Sequence, residues 1–216
     1  MDVIIVGAGG HGRVVLDILR AAGKYTVAGF IDANQDLHGS EIAGLKVLGN
    51  LNLLPKLKAR GVAGAIVAIG DNRVRRSYAQ KLAAAGLTLV NAVHPSAVIS
   101  STAVLGENVV VAAGVIICTE ARVGDSAILN TAAAIDHECE IGEAAHLAPG
   151  ARLAGRVWVG EGAFIGIGAN ILPCLRVGEH AIVGGGSLVR RDVPAGATVV
   201  GVPARVIKTA ALPMAV

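Results

Sequence analysis

Residues 123–147 read VGDSAILNTAAAIDHECEIGEAAHL, and every sixth residue in this stretch (Val123, Leu129, Ile135, Ile141, Leu147) is a branched aliphatic. The register extends both ways without a break, from Val93, Ile99, Leu105, Val111 and Ile117 to Val177, Val183 and Val189, seventeen positions in all. Two places earlier the residue is mostly small, as at Ala121, Ala127, Ala133, Cys139, Ala145 and Ala151. Every third repeat adds Gly-Asp or Gly-Glu after the aliphatic residue, at Gly106, Gly124, Gly142, Gly160 and Gly178, so a longer period of 18 overlies the period of six. Six residues are too few for helix packing but suit one short strand and a corner. Three sides and three corners close a triangular coil of 18 residues, and such coils stack about 4.8 Å apart by parallel strand pairing. The aliphatic residue points inward and the small one lets the narrow prism close. The glycines are expected at a corner needing unusual backbone angles. Val93 to Val189 spans a little over five coils. An ordinary sandwich would show turns every 8–12 residues and no 18-residue glycine register. Periodicity leaves the hand of the coil open.

Composition follows from the repeat. The chain has 216 residues, 53% hydrophobic and only 2% aromatic, with a mean hydropathy of +0.63. That hydropathy does not indicate membrane insertion, because the uncharged stretch around Leu87–Gly106 is broken by Asn91, His94 and Pro95. The start, MDVIIVGAGG, lacks the basic region of a signal peptide. A net charge of +3 and so few aromatics argue against nucleic acid. Cys118, Cys139 and Cys174 fit neither a disulfide framework nor a metal site, so no metal and a cytoplasmic location are expected.

The first 92 residues read differently. Val3–Val6 is an apolar run followed by Gly7-Ala8-Gly9-Gly10-His11-Gly12, then Val14, Val15, Leu16, Ile18 and Leu19 at helical spacing up to Gly23. Strands are expected at Thr26–Ile31, Ala65–Ile69 and Leu87–Asn91, with helices near Leu51–Arg60 and from Asp71 to Ala85. This alternation predicts a small Rossmann-like α/β domain with a parallel sheet over residues 1–92, then a β-helix over 93–208 and a tail over 209–216. GAGGHG sits between strand and helix, with Asp32 twenty residues beyond Gly12. Such a turn brings backbone N–H groups against a diphosphate, and the acidic residue takes ribose or sugar hydroxyls. A domain this short lacks the second half of a dinucleotide fold, which favours a nucleotide sugar over NAD. Arg73, Arg75 and Arg76 are expected on a solvated helix face, and His38 and His180 on the surface.

In the coils, His137 stands two residues past the inward Ile135, hence at a corner and facing out, flanked by Asp136 and Glu138. Gly155 lies 18 residues on, one coil away. A histidine beside an exposed backbone N–H can accept a proton from a nucleophile while the N–H steadies an oxyanion. Cys139 occupies a small-residue position and is expected to be packing.

The unbroken hexapeptides and the closing Gly201-Val202-Pro203-Ala204 resemble the left-handed β-helix acyltransferases, trimers that use acetyl-CoA. GAGGHG, Ala68-Ile69-Gly70-Asp71-Asn72, Asn130-Thr131, Ile135-Asp136-His137-Glu138-Cys139, Ala145-His146 and Ala154-Gly155 narrow the resemblance. They are similar to the sugar O/N-acyltransferases, which include sialic acid O-acetyltransferases and bacillosamine-type and perosamine-type N-acetyltransferases. The resemblance implies His137 as general base assisted by Glu138, Gly155 as oxyanion donor and Asn130 near the acceptor. It places His146, Ile167 and Gly185 along an acetyl-CoA groove and Gly9, Gly10, His11, Asp32 and Gly70 around a nucleotide sugar. Asp32 is followed by Ala33, where the bacillosamine-type pattern has a second acidic residue. The implied activity is N-acetylation of a UDP- or GDP-linked 4-amino-4,6-dideoxyhexose by a homotrimer with sites between subunits. O-acetylation of sialic acid is the alternative.

Overall fold

The structure is a computed structural model that describes residues 1–209; apart from Thr209, the expected tail lies outside the described residues. The chain divides into two compact units, Met1–Pro95 and a second beginning at Ser96.

The first unit alternates β1 (Asp2–Val6), α1 (Gly10–Ala22), β2 (Thr26–Ile31), β3 (Glu41–Ile42), β4 (Leu45–Gly49), α2 (Leu54–Ala59), β5 (Val62–Val67), α3 (Asn72–Ala84) and β6 (Thr88–Leu89). The sheet order is β3-β4-β2-β1-β5-β6. β1 sits between β2 and β5 and pairs with both in parallel. It reads as a continuous apolar run because both its faces are covered, and Val3, Ile4 and Ile5 are fully buried. Helix α1 buries Val15, Leu16, Ile18 and Leu19 along one stripe and ends at Gly23, whose left-handed φ of 64° lets its N–H reach Leu19 O. The sequence reading holds for this alternation. It misses β3 and β4, an antiparallel pair whose longer member joins β2 in parallel. Two residues of β3 carry no readable alternation.

The second unit is a left-handed parallel β-helix of two-residue strands. One face stacks Val98–Ile99, Ile116–Ile117, Ala134–Ile135, Arg152–Leu153, Asn170–Ile171 and Leu188–Val189. Partners are 18 residues apart throughout, for example Ile135 with both Ile117 and Leu153. The aliphatic series points inward, and its members from Val111 to Val189 are all buried. An antiparallel pair, Ala197–Gly201 with Ala204–Thr209, closes the C-terminal end.

The periodic glycines have a different reason from the expected one. Gly124, Gly142 and Gly160 do not have positive φ. A Cβ on Gly142 would instead lie 2.6 Å from Glu161 N and 2.7 Å from Gly160 C, inside the next coil's backbone. Left-handed angles fall two residues later, at Ser126, Ala144, Gly162 and His180. The glycine register is therefore a close-approach requirement, not a dihedral one. Gly142→Ala should cost about 2–3 kcal/mol, since backbone cannot yield as a side chain can. Gly150→Ala, at φ 68° where a Cβ would make only ordinary contacts with Gly168 at 3.9 Å, should cost about 1 kcal/mol. Denaturant melts of both would check the order, and equal losses would refute the stacking explanation.

Candidate active site

His137 lies at the corner that follows Ala134–Ile135, with its ring half-exposed. Its Nδ1 is 2.8 Å from Glu138 Oε2. An ionised carboxylate only accepts, so Nδ1 carries the proton and Nε2 presents a lone pair. Hydrogen bonds from His137 first, and then from Arg156, hold the Glu138 carboxyl below its ordinary range, which keeps it ionised. Arg156 Nε donates to the same Oε2 at 2.9 Å.

Gly155 sits one coil further along, against the Nε2 side of the ring. A Cβ there would overlap Nε2 and lie 2.5 Å from Cε1, so a larger residue would push the imidazole out of this position. The N–H of Gly155 has no acceptor among the described residues. The cause is the preceding residue. At the equivalent place below, Asp136 Oδ1 takes the N–H of His137 at 2.7 Å, but Gly155 follows Ala154, which offers no side-chain acceptor. Proton acceptor and free N–H thus share one corner. Beside it runs a groove of about 440 Å³, lined by Ile116, Ala134, Asp136, Arg152, Ala154 and Leu172 among others. Cys139 is buried, donates to Ala154 O, and has its thiol pKa raised by desolvation, so it is packing as expected.

The other coil residues gather on the opposite edge of the Ala134–Ile135 face. Asn130 Nδ2 is 3.5 Å from His146 Nε2, and the His146 ring meets Phe164 edge-on at 5.2 Å. Ile167 O accepts from Gly186 N at 2.7 Å, which stacks Gly185 on exposed Ile167. Within one chain, then, Asn130, His146, Ile167 and Gly185 share one edge, and His137, Glu138 and Gly155 share another.

In the first unit the glycine turn closes on the end of β2. Ala8 N donates to Asp32 Oδ2 at 2.8 Å, Asn34 N to Asp32 Oδ1 at 2.9 Å, and His38 Nε2 lies 2.9 Å from Asp32 O. His38, expected on the surface, therefore helps to shape this turn. Nothing lies within 4 Å of a Cβ built on Gly9, Gly10 or Gly70, and α1 has no side-chain cap. His11 Nε2 is buried without a hydrogen-bond partner. Burial, with a smaller contribution from Arg75, lowers its pKa from 6.5 to about 4. Arg75 departs from expectation most clearly. It is fully buried, donating to Ile69 O at 3.0 Å, Gly70 O at 3.2 Å and Asn72 Oδ1 at 2.9 Å.

Residues 2–82 match the model of the PglD N-terminal domain, and residues 156–191 match the bacterial transferase hexapeptide, six repeats. Among solved structures, PerB from Caulobacter crescentus, in complex with CoA and GDP-perosamine, is 46% identical with a TM-score of 0.92. That match covers 96% of this chain and 98% of PerB. The chain belongs to the left-handed β-helix sugar acyltransferases. The acetyltransferase domain of PglB from Neisseria gonorrhoeae, in complex with acetyl coenzyme A, is 34% identical over 95% of this chain and 98% of that one, with a TM-score of 0.89. A UDP-N-acetylbacillosamine N-acetyltransferase from Bacillus subtilis is 36% identical over 117 residues, and the match spans about half of each protein, 52% of this chain and 51% of the relative.

Of two further side chains of this acyltransferase, Arg156 was not singled out from sequence and Arg75 was placed on a solvated helix face. Arg156 is one arginine among many, and only register with Glu138 marks it. Arg75 lies in Asn72-Arg73-Val74-Arg75-Arg76, where nothing but the direction of the sheet separates the buried arginine from its neighbours. Burial pushes the Arg75 guanidinium down to about 10, so it stays charged at neutral pH. Arg75→Met should therefore cost about 2–4 kcal/mol by stripping donors from Ile69 O and Gly70 O, as read by denaturant unfolding. His11 sets a pH dependence. Between pH 6.5 and 4 the unfolded chain binds a proton that the folded unit refuses, so stability falls as pH drops through that window, by up to about 3 kcal/mol. His11→Gln should flatten this part of the stability–pH curve; an unchanged curve would rule out His11 as its source.

Proposed function

We propose that this acyltransferase moves acetyl from acetyl-CoA to the amino group of a nucleotide-linked 4-amino-4,6-dideoxyhexose, a GDP-linked sugar being the leading case. The GDP preference rests on the 46% identity to PerB across nearly the whole chain, against 34% to the PglB domain. One observation carries the catalytic assignment: the Nε2 lone pair of His137 and the uncommitted N–H of Gly155 meet at one corner.

The sugar amine attacks the thioester carbonyl, forming a C–N bond, and its proton passes to His137 Nε2. The oxygen becomes an oxyanion facing the Gly155 N–H. Collapse breaks the C–S bond and expels the CoA thiolate, which leaves as the thiol once protonated. Glu138 holds the tautomer and stabilises the imidazolium. Asn130 lies toward the acceptor, and His146, Ile167 and Gly185 line the acetyl-CoA groove. Gly9, Gly10, His11, Asp32 and Gly70 hold the nucleotide, with open space at the three glycines and spare lone pairs on Asp32. We further propose a homotrimer in which the His137 edge of one subunit meets the Asn130–His146 edge of the next. Exposed Val98, Val104 and Ile116 on the outer faces support burial by a neighbour. No helix among the described residues is long and apolar enough to cross a membrane. With three free cysteines, the proposed location is cytoplasmic.

A thiol-release assay with acetyl-CoA and GDP-, UDP- and dTDP-linked 4-amino-4,6-dideoxysugars, with free sialic acid alongside, tests the substrate. Turnover on a nucleotide amino sugar is the expected result, and turnover on sialic acid alone would move the activity to O-acetylation. His137→Ala should lower kcat by about 10²–10⁴-fold; a folded variant losing less than tenfold would rule the base out. Gly155→Pro, which deletes the N–H, should nearly abolish turnover.

A further inference from the structure

The geometry points to Arg156 as a positioning residue that clamps Glu138 onto His137 from the next coil. This rests on the reading of His137 as the proton acceptor. Glu138 and Arg156 occupy successive left-handed positions of one corner, φ 57° and 60°. Register ties them together, because Arg156 N donates to His137 O at 2.9 Å. The arginine therefore stands over Glu138, one coil above the dyad, whatever its own side chain does. The side chain then returns to the dyad. Its Nε–H and the Nδ1–H of His137 converge on one oxygen, Glu138 Oε2, at 2.9 and 2.8 Å.

Two consequences follow from sharing that oxygen. The first is geometric. Glu138 is exposed enough, at 39%, to rotate into solvent, and the second donor holds its carboxylate where it fixes the ring. The second is electrostatic. The Arg156 cation also offsets the negative field of Glu138 at the ring. The other ionisable groups around the pair are Asp136, whose carboxylate is bonded to His137 N, Glu120 one coil below Glu138 in the same left-handed column, and Cys174 one coil above Arg156. All of these persist when Arg156 alone is changed. The pair is too exposed to matter for folding, since arginine at 62% exposure contributes little to stability.

The test compares Arg156→Gln, Arg156→Lys and His137→Ala with the wild type, reading kcat, KM for the nucleotide sugar, melting temperature and the pH dependence of kcat/KM. Arg156→Gln is expected to melt with the wild type, keep its KM, and lose about tenfold in kcat through the loosened ring. The acidic limb of its profile should move up by roughly half a pH unit as the Glu138 charge is unmasked. Arg156→Lys should restore the limb but only part of kcat, because an ammonium lacks the planar fork. If His137→Ala is inactive while Arg156→Gln keeps the wild-type kcat and limb, the clamp is wrong and the base assignment stands. A lower kcat with an unmoved limb would mark a merely structural effect and also overturn the clamp. An active His137→Ala would remove both.

Discussion

A prism whose interior admits one aliphatic side chain per side per turn leaves the backbone no freedom of register. Inside the stack a two-residue strand bonds to the strands 18 residues before and after it, as Ile135 does to Ile117 and Leu153. No insertion interrupts the six-residue series between Val111 and Val189. Every outward position is thereby fixed relative to its neighbours above and below. His137, Gly155 and Arg156 are placed by this constraint before any side chain interacts, which is how two-residue strands and corners hold outward groups in fixed register.

Much of this was legible because register is arithmetic. The aliphatic series, the small residues beside it and the facing of His137 on Gly155 all follow from counting by six and eighteen. Counting does not reveal why a residue is needed. The glycines of the 18-residue register were assigned to strained angles, whereas Gly142 is small because the backbone at Gly160 and Glu161 passes too close for a Cβ. Arg75 shows the other failure. Its helix has a polar composition and a weakly marked face, so nothing local distinguishes the arginine turned under the Ile69–Gly70 carbonyls from Arg73 and Arg76. Arg156 needed a rotamer as well as a register.

The free N–H of Gly155 shows how a repeat makes a site by omission. At two corners of this kind the residue before the amide caps it. Asp136 caps the amide of His137 and Asn130 caps that of Thr131 at 2.8 Å. Ala154 caps nothing, and Pro173, the next residue in the His137 column, has no amide to offer. In the upward stack from His137 the available donor is therefore Gly155, and the absent Cβ that exposes it also admits the imidazole. One glycine meets both demands.

The glycine turn of the first unit is governed by a different balance. Asp32, read as a partner for hydroxyls, already accepts from Ala8 and Asn34 with its two oxygens, so much of its work is to hold the glycine turn against β2. His11 is the group left with an unmet demand: a buried, neutral nitrogen beside a charged Arg75 whose own donors are committed to Ile69, Gly70 and Asn72. A neutral imidazole in that place can give or take a hydrogen bond without bringing a charge. A proton held there would face Arg75 across a desolvated gap. The buried arginine thus does two things at once: it sets the backbone at Gly70, and it helps keep His11 in the form that can adapt to a polar ligand.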